Sequence, residues 1–259
     1  MRIVIKVGTS TLAHSTGRLN IRRVELLCKV LSDLKNAGND IVLVSSGAIG
    51  MGVGKLGLAG RPGDMPGKQA AAAVGQCELM YTYDKLFSEH NHTVAQILLT
   101  AEDIQHERRS IHVHDTLERL LQWGVMPIVN ENDAVSTDEI GIQTTIGEND
   151  TLSAIVAKLV NADLLILLSD IDGLYTSDPK KNEDARLIPT VEDITPEILE
   201  LAGGAGSCLG TGGMATKLKA AKLVMDAGID MIITNGEDPD LLYDLFDGKA
   251  VGTRFIGRK

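Results

Sequence analysis

The feature that most constrains this chain is a regular alternation between short apolar runs and longer segments with helical periodicity. Runs such as Ile41–Val44 and Leu164–Ser169 are apolar at almost every position rather than at every second one. A strand has this pattern when helices bury both faces of a parallel sheet. The segments between the runs are long enough for helical crossovers. The sequence therefore predicts an α/β fold with a mainly parallel sheet and helices on both faces.

The predicted elements cover most of the chain and show no internal repeat. Strands are predicted at Arg2–Val7, Ile41–Val44, Val94–Leu99, Met126–Asn130, Leu164–Ser169, Met231–Thr234 and Val251–Phe255. Helices are predicted from the N-cap Asn20 to about Ala37 and at Lys68–His90, Asp115–Trp123, Asp150–Val160, Gly213–Ala227 and Asp240–Phe246. Two stretches, Gly50–Gly67 and Ser177–Pro189, are predicted to be mobile loops. We expect one domain spanning residues 1–259.

Composition excludes several classes of protein. The formal net charge of −10 disfavours binding to nucleic acid, because an acidic surface repels phosphate backbones. Hydrophobic residues make up 44% of the chain but aromatic residues only 3%, so the core must consist of Ala, Val, Ile and Leu. Three cysteines without a CxxC pair favour a reducing compartment over a disulfide-bonded fold. With no signal peptide or apolar run long enough to span a bilayer, a soluble cytoplasmic protein is expected.

A lysine interrupts the first predicted strand. Lys6 follows three apolar residues and precedes Gly8, Thr9 and Ser10, which offer backbone and hydroxyl donors. A charge inside a strand is costly unless it is paired, so this segment is a candidate anion site. The alternative is a lysine on an edge strand with its ammonium group in water. The sequence leaves both interpretations open.

Other polar turns follow the second and fourth predicted strands. Ser45–Gly50 forms a small-residue turn, and Asn130–Asp133 and Gly147–Asp150 are rich in amides and carboxylates. Such groups are expensive in a core but suit an amino acid ligand, whose ammonium and carboxylate they can bind. The alternative role for Asn149 or Asp150 is to cap a helix, and both roles can coexist.

Two further clusters lie in the second half of the chain. The acidic residues of Ser169–Tyr175 could coordinate a metal, cap a turn or contact a ribose. The segment Gly210–Lys217 places glycines, threonines and a lysine at a helix start, where the helix dipole and the lysine both favour a polyphosphate. The alternative is a flexible loop with a surface lysine. No GxGxxG or P-loop pattern is present.

Seven segments in order give the chain a family resemblance. They are Val4–Ser10, VSSGAIGMG at Val44–Gly52, KQAAAAVGQ at Lys68–Gln76, NENDAV at Asn130–Val135, GENDTLSA at Gly147–Ala154, LLSDIDGLYTSDP at Leu167–Pro179 and GTGGMATK at Gly210–Lys217. Together the segments resemble the amino-acid kinase superfamily and, within it, the glutamate 5-kinase family. The resemblance implies a three-layer αβα sandwich and transfer of the ATP γ-phosphoryl group to the side-chain carboxylate of glutamate.

The resemblance also implies roles for individual residues. Lys6 and Lys217 would bracket the transferred phosphoryl group, and Asp150 would position them. The implied glutamate-binding residues are Ser46, Asn132, Asp133 and Asn149. The implied ATP-binding residues are Lys6, Gly8, Ser169, Asp170, Thr211, Gly212, Gly213, Met214, Ala215, Thr216 and Lys217. Residues of about 1–160 would form the glutamate-binding half and those of about 161–259 the nucleotide-binding half.

Cofactor and partners follow from the same resemblance. It implies Mg²⁺ bound with ATP, without metal ligands from protein side chains, and feedback inhibition by proline under a lid at Ala134–Gln143. It further implies coupling to a glutamyl-phosphate reductase and a homo-oligomer, dimer or tetramer. Many family members carry a C-terminal PUA domain, which we do not expect in this sequence.

Two alternatives to glutamate phosphorylation remain at this stage. One is another kinase of the same superfamily, acting on N-acetylglutamate, aspartate, carbamate or uridylate. The other is a non-catalytic amino-acid sensor on the same scaffold. The two lysines, Lys6 and Lys217, argue against a sensor, because binding an amino acid requires no pair of phosphoryl-facing charges.

Overall fold

The computed structural model describes residues 1–14, 18–135, 149–202 and 213–258. Within these ranges, eight strands form one sheet. The strands are β1 (Arg2–Val7), β2 (Asp40–Ser45), β3 (Val94–Leu99), β4 (Met126–Glu131), β5 (Leu164–Ser169), β6 (Thr190–Val191), β7 (Asp230–Asn235) and β8 (Thr253–Phe255). The short strand β6 was not predicted from the sequence.

The spatial order of the strands is β3-β4-β2-β1-β5-β7-β8-β6. Every pairing is parallel except that of β7 with β8, which is antiparallel. The prediction of a mainly parallel sheet is therefore confirmed. Because β1, β2, β4, β5 and β7 run the same way, their carboxyl ends meet at one edge of the sheet, where doubly wound folds bind ligands.

Ten helices are present in the described part of the chain. They are α1 (Thr9–Leu12), α2 (Ile21–Asn36), α3 (Ala48–Leu56), α4 (Met65–Ser88), α5 (Ala101–Gln105), α6 (Glu107–Gln122), α7 (Asn149–Leu159), α8 (Pro196–Ala202), α9 (Met214–Met225) and α10 (Leu241–Phe246). The Asn20 side chain accepts a hydrogen bond from the Arg23 backbone N–H, as expected for the N-cap of α2. None of the helices is both long and apolar enough to cross a membrane.

Helix α3 corrects the loop predicted at Gly50–Gly67. Gly47, with a φ of 101°, is the N-cap of this helix, which runs from Ala48 to Leu56. Glycine disfavours helices in isolation, but here it permits contact with α4. A Cβ atom at Gly52 would lie 1.8 Å from the carbonyl oxygen of Ala71, and one at Gly75 would lie 1.8 Å from that of Ala48. Tertiary packing therefore explains why α3 is helical although its glycine content disfavours a helix.

Two hydrophobic cores lie on opposite faces of the sheet. Leu165 and Leu167 of β5 belong to the core under α6, α7 and α9, whereas Leu164, Ile166 and Leu168 belong to the core under α2, α4 and α10. Successive strand residues point to opposite faces, so a strand that is buried on both faces must be apolar throughout. The helices and sheet thus form the expected three-layer αβα arrangement.

Candidate active site

Three charged side chains from distant parts of the sequence meet at the carboxyl end of β1. The Lys6 Nζ lies 2.7 Å from Asp150 Oδ1, and the Lys217 Nζ lies 3.2 Å from Asp150 Oδ2. Asp150 is in the first turn of α7, and Lys217 is in the first turn of α9. We call Lys6, Asp150 and Lys217 the charged cluster. The structure therefore brings together all three residues predicted to act in catalysis.

The position of Lys6 decides between the two interpretations of its strand. It pairs with Val44 of β2 and Leu167 of β5, so β1 lies inside the sheet and is not an edge strand. Along β1, Lys6 shares a face with Val4, which belongs to the core under α7 and α9. Those helices supply its neighbours Asp150 and Lys217. The lysine is thus an internal, paired residue.

Asp150 is almost fully buried, at 1% exposure. Burial by itself raises the pKa of its carboxyl group, but the ammonium groups of Lys6 and Lys217 outweigh this effect and hold the pKa below its ordinary value. The carboxylate therefore stays ionised at neutral pH. With one anion between two cations, the cluster carries one net positive charge, which favours an anionic ligand.

The hydroxyl group of Thr216 lies beside the charged cluster. Its Oγ1 is 3.1 Å from Asp150 Oδ2 and 2.8 Å from the carbonyl oxygen of Gly213. The sequence placed Thr216 with the nucleotide-binding residues, whereas its contact here is with Asp150. Gly8 lies close by, and a Cβ atom there would be 3.5 Å from Lys6 Nζ. Both residues therefore border the lysine pair.

Polar side chains from three strand and helix ends meet next to this cluster. Asn149 Nδ2 donates to Ser46 Oγ at 2.6 Å and to Asn130 Oδ1 at 3.2 Å. Ser46 follows β2, Asn130 lies in β4, and Asn149 begins α7. Asn149 thus belongs to a set of hydrogen-bonded side-chain amides, whereas its neighbour Asp150 belongs to the charged cluster.

The remaining residues predicted to bind glutamate line a cavity of about 400 Å³. Asn132 and Asp133 form one side of it, just after β4. The other lining residues come mainly from α4 and β3: Ala48, Ala72, Ala73, Gln76, Cys77, Met80, Gln96, Leu98, Glu131 and Ala134. The predicted lid at Ala134–Gln143 continues from this wall, but its residues 136–143 lie outside the described residues.

The residues predicted to bind ATP lie at the ends of β1, β5 and α9. Ser169 ends β5, next to β1 in the sheet, and its Oγ donates to Asp170 Oδ1 at 3.2 Å. Gly213, Met214, Ala215, Thr216 and Lys217 form the start of α9. Thr211 and Gly212 lie outside the described residues. The strand order therefore puts the charged cluster between the side-chain amides near β4 and the turn that follows Ser169 at the end of β5.

Two further side-chain amides, Gln76 and Gln96, extend the set from Asn130 and were not singled out from the sequence. The buried Gln76 of α4 accepts a hydrogen bond from Asn130 Nδ2 at 2.9 Å, and its own Nε2 donates to Gln96 Oε1 at 3.3 Å. The sequence feature that could have indicated Gln76 is a glutamine on the buried face of an alanine-rich helix. The pairing itself links residues 54 positions apart, so no local pattern shows it.

Comparison with known proteins is consistent with this geometry. Residues 1–235 match the model of the amino acid kinase family. The chain is 56% identical over 258 residues to a glutamate 5-kinase of Clostridium perfringens, covering 100% of this chain and 96% of the relative. It is 57% identical over 253 residues to that of Clostridium tetani, covering 98% and 93%, and 53% identical over 258 residues to that of Listeria innocua, covering 100% and 94%.

Solved structures with the same fold include a carbamate kinase from Giardia lamblia bound to AMP-PNP. It has a TM-score of 0.68 at 20% identity, covering 99% of this chain and 98% of that chain. A UMP kinase from Bacillus anthracis has a TM-score of 0.65 at 17% identity, covering 100% and 96%. At these identities the likeness is evidence of the fold alone. The sequence matches are much stronger, and the chain belongs to the amino acid kinase family, in which it groups with the glutamate 5-kinases.

Proposed function

We propose that this protein transfers the γ-phosphoryl group of ATP to the side-chain carboxylate of L-glutamate, giving L-glutamyl 5-phosphate in the first step of proline biosynthesis. The observation that carries the proposal is the charged cluster of Lys6, Asp150 and Lys217 beside the amide group of Asn149. The former suits a phosphoryl group, and the latter suits an amino acid. The identity to glutamate 5-kinases over the whole chain supports the choice of glutamate.

The acceptor needs no general base. A glutamate side chain has an ordinary pKa of about 4.3, so it is already a nucleophilic carboxylate at neutral pH. Catalysis then depends on holding two anions in line and neutralising the charge between them. Lys6 and Lys217 would contact the phosphoryl oxygens from two sides, and Asp150 would keep the two ammonium groups at that position.

The proposed binding residues divide between two halves of one domain. In the first half, about 1–160, Ser46, Asn132, Asp133 and Asn149 would bind glutamate, with Asp133 facing its ammonium group. In the second half, about 161–259, the ATP-binding residues would be Ser169, Asp170 and the segment 211–217, together with Gly8 and Lys6 of the first half. Each ligand would thus approach the lysines from its own side.

The divalent metal of a kinase reaction is proposed to be Mg²⁺, entering with ATP. Both oxygens of Asp150 lie against ammonium groups, and no cluster of three His, Cys, Asp or Glu side chains suited to a metal occurs in the described ranges. These residues fit an ion held by the triphosphate oxygens and water, the coordination that Mg²⁺ commonly adopts. The ion would supply further neutralisation of phosphate charge.

The decisive experiment is ATP turnover with Mg²⁺ across glutamate, N-acetylglutamate, aspartate, carbamate and UMP. Hydroxylamine would trap an acyl phosphate as a hydroxamate. We expect hydroxamate from glutamate. Turnover of N-acetylglutamate without turnover of glutamate would refute the substrate assignment, and binding of glutamate without any ATP turnover would favour a sensor.

Regulation and assembly are proposed by analogy with the family. We propose a cytoplasmic homo-oligomer, a dimer or tetramer, whose unstable product passes to a glutamyl-phosphate reductase. Proline would inhibit it, because proline shares the α-carboxylate and charged amine of glutamate. Kinetics at several glutamate concentrations test this competition: glutamate should relieve inhibition, and inhibition independent of glutamate would indicate a separate site.

A further inference from the structure

A chain of four side-chain amides runs from the candidate active site to the exposed Gln96 of the edge strand β3. Asn149 donates to Asn130, Asn130 donates to Gln76, and Gln76 donates to Gln96, at 3.2, 2.9 and 3.3 Å. These residues come from α7, β4, α4 and β3 respectively. An amide has a donor end and an acceptor end, so such a chain has a direction.

The direction is set by a backbone group. The backbone N–H of Glu131 donates to Asn130 Oδ1 at 2.9 Å. A backbone N–H can only donate, so the end of Asn130 that faces it must be the oxygen. The Nδ2 of Asn130 then faces Gln76 and requires an acceptor there, which Gln76 Oε1 supplies.

This direction determines which atom Asn149 can offer a ligand. Asn130 presents an oxygen to it, so Asn149 must present its Nδ2 in return. The same nitrogen also donates to Ser46 Oγ and, at 3.4 Å, to the backbone carbonyl oxygen of Ser45, which can only accept. Its carbonyl oxygen Oδ1 is therefore the atom left for a ligand. A carbonyl oxygen is suited to a donor such as the ammonium group of an amino acid, whereas a reversed Asn149 would present N–H groups to that cation.

Burial makes the bond between Asn130 and Gln76 important. Asn130 is 1% exposed and Gln76, which lines the cavity, is 8% exposed, so the Nδ2 of Asn130 has little access to water as a substitute acceptor. A buried donor without an acceptor costs about 1–3 kcal/mol. If the acceptor on Gln76 were removed, Asn130 would turn to satisfy its Nδ2, and the oxygen that holds Asn149 would move.

We propose that Gln76 is a positioning residue that acts through Asn130 to hold Asn149 with its carbonyl oxygen toward the substrate. The inference rests on the proposed function and deepens it, since it concerns how the amino group of glutamate is recognised. It assigns a purpose to a glutamine of α4 that lines the cavity and would act on the amino group of glutamate through Asn130 and Asn149. Its loss should weaken glutamate binding without disturbing the lysines.

The test compares two replacements of Gln76. Gln76→Met has similar volume but no oxygen acceptor, and we expect KM for glutamate to rise about tenfold to hundredfold, the range of a buried unpaired donor. Gln76→Glu retains an acceptor for Asn130 and should recover most of that loss. The kcat and the KM for ATP should change by less than about threefold in both, because the charged cluster is untouched.

A control on the same helix separates positioning from weakened folding. Thr82→Val removes a hydrogen bond between the Thr82 hydroxyl and the Glu78 carbonyl oxygen within α4. It should leave the KM for glutamate unchanged. An equal rise in KM in this variant, or a parallel fall of kcat in Gln76→Met, would reduce Gln76 to a structural residue and overturn the proposal.

A spectroscopic readout separates this inference from the proposed function. The side-chain amide signals of Asn149, assigned by their loss in Asn149→Asp, should shift in Gln76→Met without any substrate present. If they stay unchanged, the inference is wrong whatever the enzyme phosphorylates. If they shift but glutamate is not a substrate of the wild-type protein, the proposed function is wrong and the positioning role stands.

Discussion

The two residues that open α7 belong to two different kinds of interaction. Asp150 lies between two ammonium groups on the face of the sheet covered by α7 and α9. Asn149 belongs to the amide chain, which continues through Asn130 to Gln76 on α4, on the other face. Charges act over several ångströms with little dependence on angle, whereas hydrogen bonds between amides depend on which end faces which. In the proposed mechanism, one set of residues thus supplies charge and a separate set orients the ligand.

The comparison predicts that the two sets affect different kinetic constants. Loss of a charge should lower kcat, since the phosphoryl group gains charge neutralisation mainly in the transition state. Loss of an amide or of the nearby carboxylate Asp133 should raise KM for glutamate, because binding of the amino group is the same in ground and transition states.

The largest effect is expected for the lysines. Lys6→Ala and Lys217→Ala should each lower kcat by about 10²–10³, the usual range for one group that stabilises transition-state charge. The KM for glutamate should change little. Steady-state kinetics with saturating ATP measure both constants, and near-normal kcat in either variant would remove that lysine from the mechanism.

Asp150→Asn should lower kcat by about 10²-fold, because the two ammonium groups lose the anion that holds them and repel each other. The same substitution has a pH signature in stability. The folded pKa of Asp150 lies below its ordinary value, so its stabilising effect is present above that value and disappears as pH falls through the folded pKa.

Denaturant unfolding of wild type and Asp150→Asn measures that signature. The difference between their unfolding free energies should be constant from pH 6 down to about pH 5 and then shrink as the carboxyl group takes up a proton. A difference that grew toward low pH would mean that the carboxylate is not held by the two lysines.

For Asp133→Ala we expect an increase of about 10- to 100-fold in KM for glutamate with little change in kcat, as for loss of one hydrogen bond to a charged group. The matched variant Asp133→Asn keeps the size but not the charge and should bind glutamate equally weakly. A fall in kcat similar to that of Asp150→Asn would show that the two acids share one role.

The smallest effect is expected for Thr216. Thr216→Val removes the hydroxyl near Asp150 Oδ2 and should lower kcat by about 3- to 10-fold, as for one hydrogen bond among several on a carboxylate. Thr216→Ser should restore the rate. If instead the KM for ATP rises in Thr216→Val with kcat preserved, the hydroxyl binds the nucleotide as the family resemblance implied.

The sequence predicted the central strands of the sheet well because they are apolar on both faces. The bounds of β1, β3 and β5 agree with the prediction at every residue. The helix α6 begins at Glu107, eight residues before the predicted start at Asp115, because its first two turns are mostly exposed and show little periodicity. Local pattern thus predicts an element well where burial controls every position, as in β5, although the bounds of the less buried β3 were also predicted.

The site was predicted unevenly for a related reason. Lys6 stood out because a charge in an apolar strand needs a partner, and its partner Asp150 was expected from the resemblance. The amide chain was not predicted, since three of its members are ordinary polar residues in separate motifs and the fourth, Gln96, lies in none of them. Only the register of β3 and β4 and the position of α4 bring Gln76, Gln96 and Asn130 together.

The contact between α3 and α4 has a consequence for how this protein can vary. Gly52 and Gly75 let each helix rest on the backbone of the other, and the same stretch of α4 carries Gln76 while α3 begins with Ala48, a residue of the cavity wall. A methyl group added at either glycine would force the helices apart and move both sides of the pocket. Two residues without side chains, Gly52 and Gly75, thus set the spacing of the helices that line the cavity proposed to bind glutamate.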